Sequence, residues 1–505
     1  MKKIFAIVLA LGLLLTGCGT GQSSAEQASA ETTKTEKDTL VVVPYYATES
    51  FDPYNADMDS VITCQLYDYL FQRDSDGNIQ PCLATGMEDS ADGMDTTITL
   101  RNDVTFSDGT PFNADAVLYN FALAQNSYYD YAGSYFSSVE KKDDYSVVFH
   151  KNAAYTMTDA LLVSYLPMVS PTAYDAGAEA FALNPVGTGA YTLSSRDAAT
   201  GYIYLKARED YFQGKPGIST IEVHVPLESS GSLVALEKGE VDLVENPMTN
   251  SDLSIAKDEG ITVETSTGWS TKTLFLFGEP FKSDKNLAMA VTYGVNKENA
   301  AVCGGELEVV PAQNLFNSRV MGDLAGKVPA YQYDPDKAAE YLAASDYSGE
   351  TLYIDITDES ADIAVSIQSD LMALGMKVEI NQLDANTYSD LFSRGEIHMA
   401  IMDQGVAAFG MEDSIGNFCG GGYYQEAGLV SSTDQMDQLM GSIMSSTDAA
   451  ERASMMEELV GLLLDNGTMV PLYDSVLNYA HCAELKGCDA IWGATTQMYL
   501  WKCSF

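Results

Sequence analysis

Cysteine and histidine carry the most recognisable chemistry in a sequence, and here neither forms a known catalytic or metal-binding pattern. The 505 residues include eight cysteines and four histidines. The histidines are widely separated, and no Cys-x-x-Cys pair or zinc-type Cys/His spacing occurs. The motifs HExxH, GxSxG and GxxxxGK[ST] are also absent. The sequence therefore predicts no enzyme, no metal site and no cofactor.

Cys18 is the cysteine with a recognisable context. Two lysines precede an apolar run over residues 4–15, and small residues lead into the cysteine. This pattern is typical of a secretory signal, and the run is too short to span a bilayer. The stretch LTGC resembles a bacterial lipobox, in which the thiol is acylated, for example with palmitate. We predict a signal peptide over residues 1–17 and lipid attachment at Cys18; the alternative is an ordinary signal peptide with a chance cysteine.

The segment after Cys18 predicts a flexible tether. Residues 18–38 contain no large apolar side chain, so they cannot bury enough surface to offset the entropy of ordering. Folding is expected to begin near Thr39, where the run LVVV indicates a first strand. The remaining chain is too long for one core, so two or more domains are expected. No later stretch reaches the apolar length of a membrane helix.

The net charge of −45 argues strongly against nucleic acid as a partner and against electrostatic docking on anionic lipid. Two interpretations of this acidity remain: it serves solubility, or it reflects a preference for cationic or zwitterionic ligands. Seven cysteines follow Cys18, so at least one thiol is unpaired. Cys482 and Cys488 are close enough in sequence to form a disulfide, which export permits.

The middle of the chain alternates predicted strands and helices. A strand is expected over residues 96–100, followed by a helix that Asn113 caps. An apolar helical stripe over 363–374 ends at Gly375, and strands over 376–380 and 397–402 flank a short helix at 387–393. This order predicts a right-handed βαβ unit, whose ligands bind beyond the carboxyl ends of the strands. The candidate ligand residues at such strand ends are Tyr45, Tyr46 and Asp403.

Several motifs resemble those of one protein family. The stretch FSDGTPFNADAV at residues 106–117 is similar to the F-x-DGTPF-x-A-x-DV stretch of extracellular solute-binding proteins of the peptide/nickel class, family 5. NPVGTGAY at 184–191 resembles their NPVGTGPY motif, and weaker matches continue in family order to about residue 490. We interpret Gly109, Gly187 and Gly189 in these motifs as turn residues with positive φ.

The resemblance implies a lipoprotein with an α/β, two-lobed periplasmic-binding-protein fold of type II, the large peptide-binding class. A discontinuous first lobe would take residues 39–275 and 473–505, and the second lobe would take 276–472. The first crossing between lobes falls near residues 269–277, and the ligand would be enclosed between the lobes.

The expected ligand site departs from the family pattern. Peptide binders carry a G-W-x-x-D sequence whose acid receives the peptide's ammonium group, whereas residues 405–409 here read GVAAF. Phe409 thus replaces the acid, and Glu412 and Asp413 are the nearest carboxylates. We predict aromatic walls with few fixed charges, with Trp269 contributed by the crossing; the alternative is that Trp269 and one of the two tyrosines pack in a core.

The functional prediction follows from the anchor and the resemblance together. We expect an extracytoplasmic, membrane-anchored binding protein of an ABC importer, a monomer that captures a peptide or other small solute and delivers it to the permease. The alternative is a sensory or docking lipoprotein on the same scaffold that feeds no transporter.

Overall fold

The computed structural model describes residues 37–505 apart from several internal gaps. These gaps are 57–59, 75–77, 128–132, 134, 155–157, 159–161, 163–164, 228, 246–249, 306–308, 358–359, 406–410, 488–489 and 493–495. The predicted signal peptide, Cys18 and all but the last two residues of the predicted linker lie outside the described residues. No helix in the described ranges is both long and apolar enough to cross a membrane.

One large mixed sheet runs through the described chain. Its strands, in order across the sheet, are Lys377–Gln382, Thr351–Ile356, Met399–Gly405, Thr262–Leu276, Met469–His481, Leu243–Val244, Thr39–Val43, Thr220–Val223, Ile203–Ala207 and Tyr191–Arg196. The short strand Val310–Pro311 pairs with Met469–His481 as the eleventh member. A four-stranded antiparallel sheet has the order Ala84–Asp89, Asp95–Leu100, Ser146–Lys151 and Phe136–Asp143. Two hairpins pair Phe71–Arg73 with Ile79–Pro81 and Ala490–Trp492 with Thr496–Met498.

Helices cover the sheets. The described α-helices are Ser60–Leu66, Ala114–Ala124, Pro171–Asp175, Ala178–Phe181, Ser229–Glu237, Asn250–Asp258, Lys285–Gly294, Lys297–Gly304, Ser318–Met321, Pro335–Ala344, Ala361–Ala373, Ala385–Ser393, Met411–Gly416, Tyr423–Glu426, Asp434–Ser445 and Ala449–Asn466. Short 3₁₀ helices occupy Gly322–Leu324 and Leu500–Lys502.

The buried apolar residues form separate cores. The first core is built from residues between 40 and 243 together with residues between 479 and 503. Two adjoining clusters, which we call the second core, are built from residues between 274 and 473. The strands Thr262–Leu276 and Met469–His481, here called the crossing strands, pair over almost their whole length. A register shift between Thr267 and Thr271 marks an irregularity midway, where bulged strands bend.

Most elements predicted from local signals are confirmed. The Asn113 side chain accepts a hydrogen bond from the Ala116 N–H at 3.1 Å and so caps the helix Ala114–Ala124. The helix Ala361–Ala373 ends as expected before Gly375, whose φ is +93°. The strands Lys377–Gln382 and Met399–Gly405 are parallel in direction, but Thr351–Ile356 lies between them in the sheet. The crossover from Lys377–Gln382 to Met399–Gly405 therefore skips one strand position and does not connect adjacent strands.

The interpretation of the motif glycines is correct at one position and wrong at two. Gly109 has a φ of +84°, as a turn glycine should. Gly187 and Gly189 do not have positive φ. A Cβ added at Gly187 would lie 2.2 Å from the Leu66 carbonyl oxygen, and one at Gly189 would lie 2.3 Å from that of Gln65. These glycines are needed because another backbone segment passes directly over them.

The disulfide that the spacing of Cys482 and Cys488 would permit does not form. Cys482 is in the thiol form, and its Sγ donates to the Asp242 carboxylate at 3.8 Å. Cys503 is bonded in a disulfide instead. Proximity in sequence does not decide pairing, because the thiols must also meet with suitable Cα separation and side-chain direction.

Candidate functional site

The carboxyl ends of the first core's parallel strands point toward the middle of the crossing strands. Thr39–Val43 is parallel to Leu243–Val244, with Val43 opposite Val244. Val244 is opposite Ala480, which in turn is opposite Val263. Because Met469–His481 runs antiparallel to Leu243–Val244, the chain leaving Val43 heads toward lower-numbered residues of Met469–His481.

The second core presents its strand ends from the opposite direction. Met399–Gly405 is antiparallel to Thr262–Leu276, and its last residue, Gly405, is opposite Ser270. Thr351–Ile356 is parallel to Met399–Gly405 and ends on the same side. Between Val263 and Ser270 the crossing strand advances roughly 20 Å at ordinary strand rise. Strand ends from both cores thus face one another across this stretch, an arrangement that typically encloses a small ligand.

The floor of this gap is polar and tightly packed. The Ser270 and Ser475 hydroxyl oxygens are 2.7 Å apart, and Thr271 Oγ1 donates to Asp474 Oδ1 at 2.9 Å. A Cβ at Gly268 would lie 2.4 Å from Ser475 Oγ, so the two crossing strands approach closely there. Burial raises the pKa of the Asp474 carboxyl, although the Thr271 hydrogen bond acts in the opposite direction.

Tyr45 and Tyr46 lie just beyond the strand Thr39–Val43, where the sequence placed them. Their relative exposures are 58% and 41%, so neither packs in a core. Their rings meet edge to face with centroids 6.2 Å apart. Exposed tyrosines at a strand end supply a large contact area at low entropic cost and attract cations to their faces.

The two described acids among the predicted site residues are already paired with cations. Lys272 Nζ lies 2.8 Å from Asp403 Oδ2. Arg452 Nη2 lies 2.7 Å from Glu412 Oε1, and its side chain is only 9% exposed. Both carboxylates are therefore compensated within the protein. In the described part of the chain, no group of three or more histidine, cysteine and acidic residues is arranged to hold a metal.

The side chains of three predicted site residues lie outside the described part of the structure. Trp269 lies in the strand Thr262–Leu276 and Asp413 in the helix Met411–Gly416, and the side chains of both are outside the described part. Phe409 lies outside the described residues altogether.

Glu245 is a candidate site residue that the sequence reasoning missed. It directly follows the strand Leu243–Val244, is 6% exposed, and its backbone N–H donates to the Val43 carbonyl at 2.9 Å. A buried carboxylate is thus placed at the same strand ends as Tyr45. The signal was present, because an acidic residue after a short apolar run satisfies the rule that selected the tyrosines.

A cavity of about 250 Å³ lies between Tyr135 and the helix Asp434–Ser445. Tyr135, which packs on the first core, lines one side, and the other lining residues include Cys419 and Met440 of the second core together with Glu412 and Met444. Met444 also packs against the first core. Burial raises the pKa of the Cys419 thiol to about 12, so the thiol is neutral.

Comparison with known proteins places the chain in a family. A family model described as bacterial extracellular solute-binding proteins, family 5 Middle, matches residues 78–425. The oligopeptide-binding protein AppA of Bacillus subtilis is 24% identical over 424 residues, which cover 74% of this chain and 75% of AppA. The glutathione-binding protein GsiB of Salmonella typhimurium is 24% identical over 480 residues, 89% of this chain and 91% of GsiB.

A solved structure shows the same fold. The ABC transporter substrate-binding protein CtaP of Listeria monocytogenes superposes with a TM-score of 0.82 at 19% identity, covering 93% of this chain and 99% of CtaP. The fold is accordingly the two-lobed α/β fold of type II periplasmic binding proteins, as the motifs implied. Since the family model matches well over half of the sequence, the chain belongs to the bacterial extracellular solute-binding proteins of family 5, the extracytoplasmic binding components of ABC importers.

Proposed function

We propose that this protein is the membrane-anchored receptor of an ABC importer, which captures a peptide or another small solute between its lobes and delivers it to the permease. The observation that carries the proposal is the opposed set of strand ends across the crossing strands. The oligopeptide and glutathione named for two relatives support a small peptide-like solute.

We further propose that the lobes have the boundaries read from the sequence, 39–275 with 473–505 and 276–472. The membership of the cores supports this division, because the first core joins residues before 244 to residues after 478. The second core uses residues from 274 to 473. The crossing strands would then be the two connections between lobes, and their irregular middle the hinge.

The ligand would be held chiefly by aromatic surface and hydrogen bonds. Tyr45 and Tyr46 supply exposed rings, whereas Asp403 and Glu412 are each engaged by a cation of the protein. The acid that anchors the ammonium group in peptide binders is replaced by Phe409. Trp269 and Asp413 complete the proposed ligand residues. Closure around the ligand would exclude water and strengthen the polar contacts inside.

Ligand capture is tested by a thermal-shift screen of short peptides, amines and metal chelates, followed by scattering. We expect at least one class of compound to raise the melting temperature, because a ligand that binds only the folded state stabilises it. Small-angle X-ray scattering with that compound at saturation should show a smaller radius of gyration than the protein alone. A saturating ligand that leaves the radius unchanged would count against lobe closure.

The anchor is tested by Cys18→Ala with the signal peptide intact. We expect the variant to leave the membrane fraction and to melt at the same temperature as the parent, because acyl chains provide the anchorage and the folded region begins near Thr39. Cell fractionation and circular dichroism measure the two properties. Membrane retention equal to that of the parent would show that another feature anchors the protein.

Closure is also expected to depend on Gly93. Its φ is +70°, and an added Cβ would lie 2.9 Å from Thr447 Cγ2 in the second lobe and 3.1 Å from Ala154 Cβ in the first. Gly93→Ala should therefore weaken the contact between lobes, enlarge the radius of gyration and lower ligand affinity; losing 1.4 kcal/mol of closure costs about tenfold in Kd. Gly109→Ala is the matched control, because Gly109 has a φ of +84° and nothing within 4 Å. Equal effects from both variants would assign the change to backbone strain alone.

A further inference from the structure

We propose that the cavity between Tyr135 and the helix Asp434–Ser445 receives an uncharged aromatic group of the bound solute. This inference rests on the proposed function and names the chemistry of a second part of the same cleft. We call this cavity the sulfur pocket, because Cys419, Met440 and Met444 line it.

The size of the sulfur pocket suits one aromatic ring. Its volume is about 250 Å³. An apolar protein cavity of about 150 Å³ is known to hold benzene. The volume is therefore sufficient for one phenyl or indole group, whereas a folded peptide segment is too large for it.

The charges around the sulfur pocket favour a neutral group. Glu412 is the charged residue among those lining it, and Arg452 engages that carboxylate at 2.7 Å. The same guanidinium donates to the Ile443 carbonyl at 3.0 Å, which fixes it in place. A cationic ligand group would have to displace Arg452, and an anionic group would meet a carboxylate. An uncharged group avoids both penalties.

The lining atoms favour an aromatic group over an aliphatic one. Three sulfur-bearing residues and Tyr135 line the space, and sulfur makes favourable contacts with ring edges. The loop 420–422 also lines the space and is closely packed, because a Cβ at Gly422 would lie 2.0 Å from the Gly416 carbonyl oxygen. The N–H groups of Gly420 and Gly422 already donate to Asp437 Oδ1 and to the Cys419 carbonyl.

The sulfur pocket is close to the opposed strand ends. The Ser414 hydroxyl donates to the carbonyl of Gly405, the last residue of its strand, at 2.9 Å. Gly416 lines the pocket two residues later, which is about 3 Å along a helix. The walls come from both cores, with Tyr135 and Met444 packing on the first. One solute can thus contact the strand ends and place a ring in the pocket when the lobes close.

The test labels the methyl groups of the 21 methionines with ¹³C and uses indole as the probe. A bound indole ring should shift the methyl resonances of Met440 and Met444, which are assigned with Met440→Leu and Met444→Leu. Cyclohexanol, which has no ring current, is the matched probe and should leave both resonances nearly unchanged. Indole that leaves both resonances unshifted, or shifts other methionines instead, would overturn the inference.

A second pair of variants tests the pocket with peptide ligands. The parent should bind Ala-Phe-Ala at least about tenfold more tightly than Ala-Ala-Ala, as expected for burying one phenyl group. Met440→Trp fills the pocket and should abolish this preference, whereas Met372→Trp, at a position that is 55% exposed, should preserve it. A preference that survives Met440→Trp would contradict the assignment. The two proposals fail separately: a screen in which no compound binds overturns the proposed function, whereas the methyl spectrum decides the pocket.

Discussion

Gly189→Ala is expected to lower the free energy of unfolding by about 3 kcal/mol. The new Cβ would lie 2.3 Å from the Gln65 carbonyl oxygen and 2.5 Å from the Leu66 carbonyl carbon. Both contacts are with backbone, so no flexible side chain can move aside. The Gly189 N–H also donates to the Leu66 carbonyl at 3.0 Å, and relief of the clash would break this hydrogen bond.

Urea denaturation measures this effect, with Gly461→Ala as the control. Gly461 lies inside the helix Ala449–Asn466 and has nothing within 4 Å of an added Cβ. Its replacement should stabilise the protein by about 0.5–1 kcal/mol, because glycine is a poor helix residue. The two substitutions add the same methyl group with opposite expected signs. A Gly189→Ala protein as stable as the parent would show that the segment at residues 65–67 can move away.

Asp68→Asn is expected to change how stability depends on pH. Asp68 is 4% exposed, and burial raises its pKa to about 6, although a hydrogen bond from the Tyr211 hydroxyl at 2.8 Å partly opposes the rise. Among the described residues, none is within hydrogen-bond distance of Asp68 Oδ2. The ordinary pKa of 3.8 applies to the unfolded chain. Between pH 4 and pH 6 the folded protein therefore binds more protons, and stability falls as pH rises.

Replacing the carboxyl with an amide should remove this penalty. Relative to the parent, Asp68→Asn should gain on the order of 3 kcal/mol between pH 4 and pH 7, since each pKa unit corresponds to about 1.4 kcal/mol. The amide oxygen can still accept the Tyr211 hydrogen bond. Chemical denaturation at several pH values measures the difference between the two proteins. A difference that does not vary with pH would show that Asp68 titrates normally in the folded state.

Asp103→Asn provides the control for that experiment. Asp103 is exposed, and its hydrogen bond from Arg101 lowers its pKa, which is the opposite direction. Its replacement should not reproduce a gain in stability between pH 4 and pH 7.

The sequence determined the features that depend on residues close together in the chain. Asn113 caps the helix that it was expected to cap, and Gly375 follows the helix that it was expected to end, because these signals act within one helical turn. The motif order identified the family. The rule on strand ends placed Tyr45 and Tyr46 just beyond the strand Thr39–Val43, where they are exposed, since it depends only on where a strand stops.

Only the tertiary structure decided what those residues meet. The pairing of Asp403 with Lys272 and of Glu412 with Arg452 joins residues 131 and 40 positions apart, and no local pattern indicates such partners. The same holds for Thr351–Ile356, which lies between two strands that follow it in sequence, and for the thiol of Cys482, which meets Asp242 instead of Cys488. The glycines at 187 and 189 were recognisable as motif residues, but their physical reason is a backbone segment some 120 residues earlier. Local sequence signals determine where helices and strands begin and end. The contacts between these helices and strands depend on which surfaces the folded chain brings together.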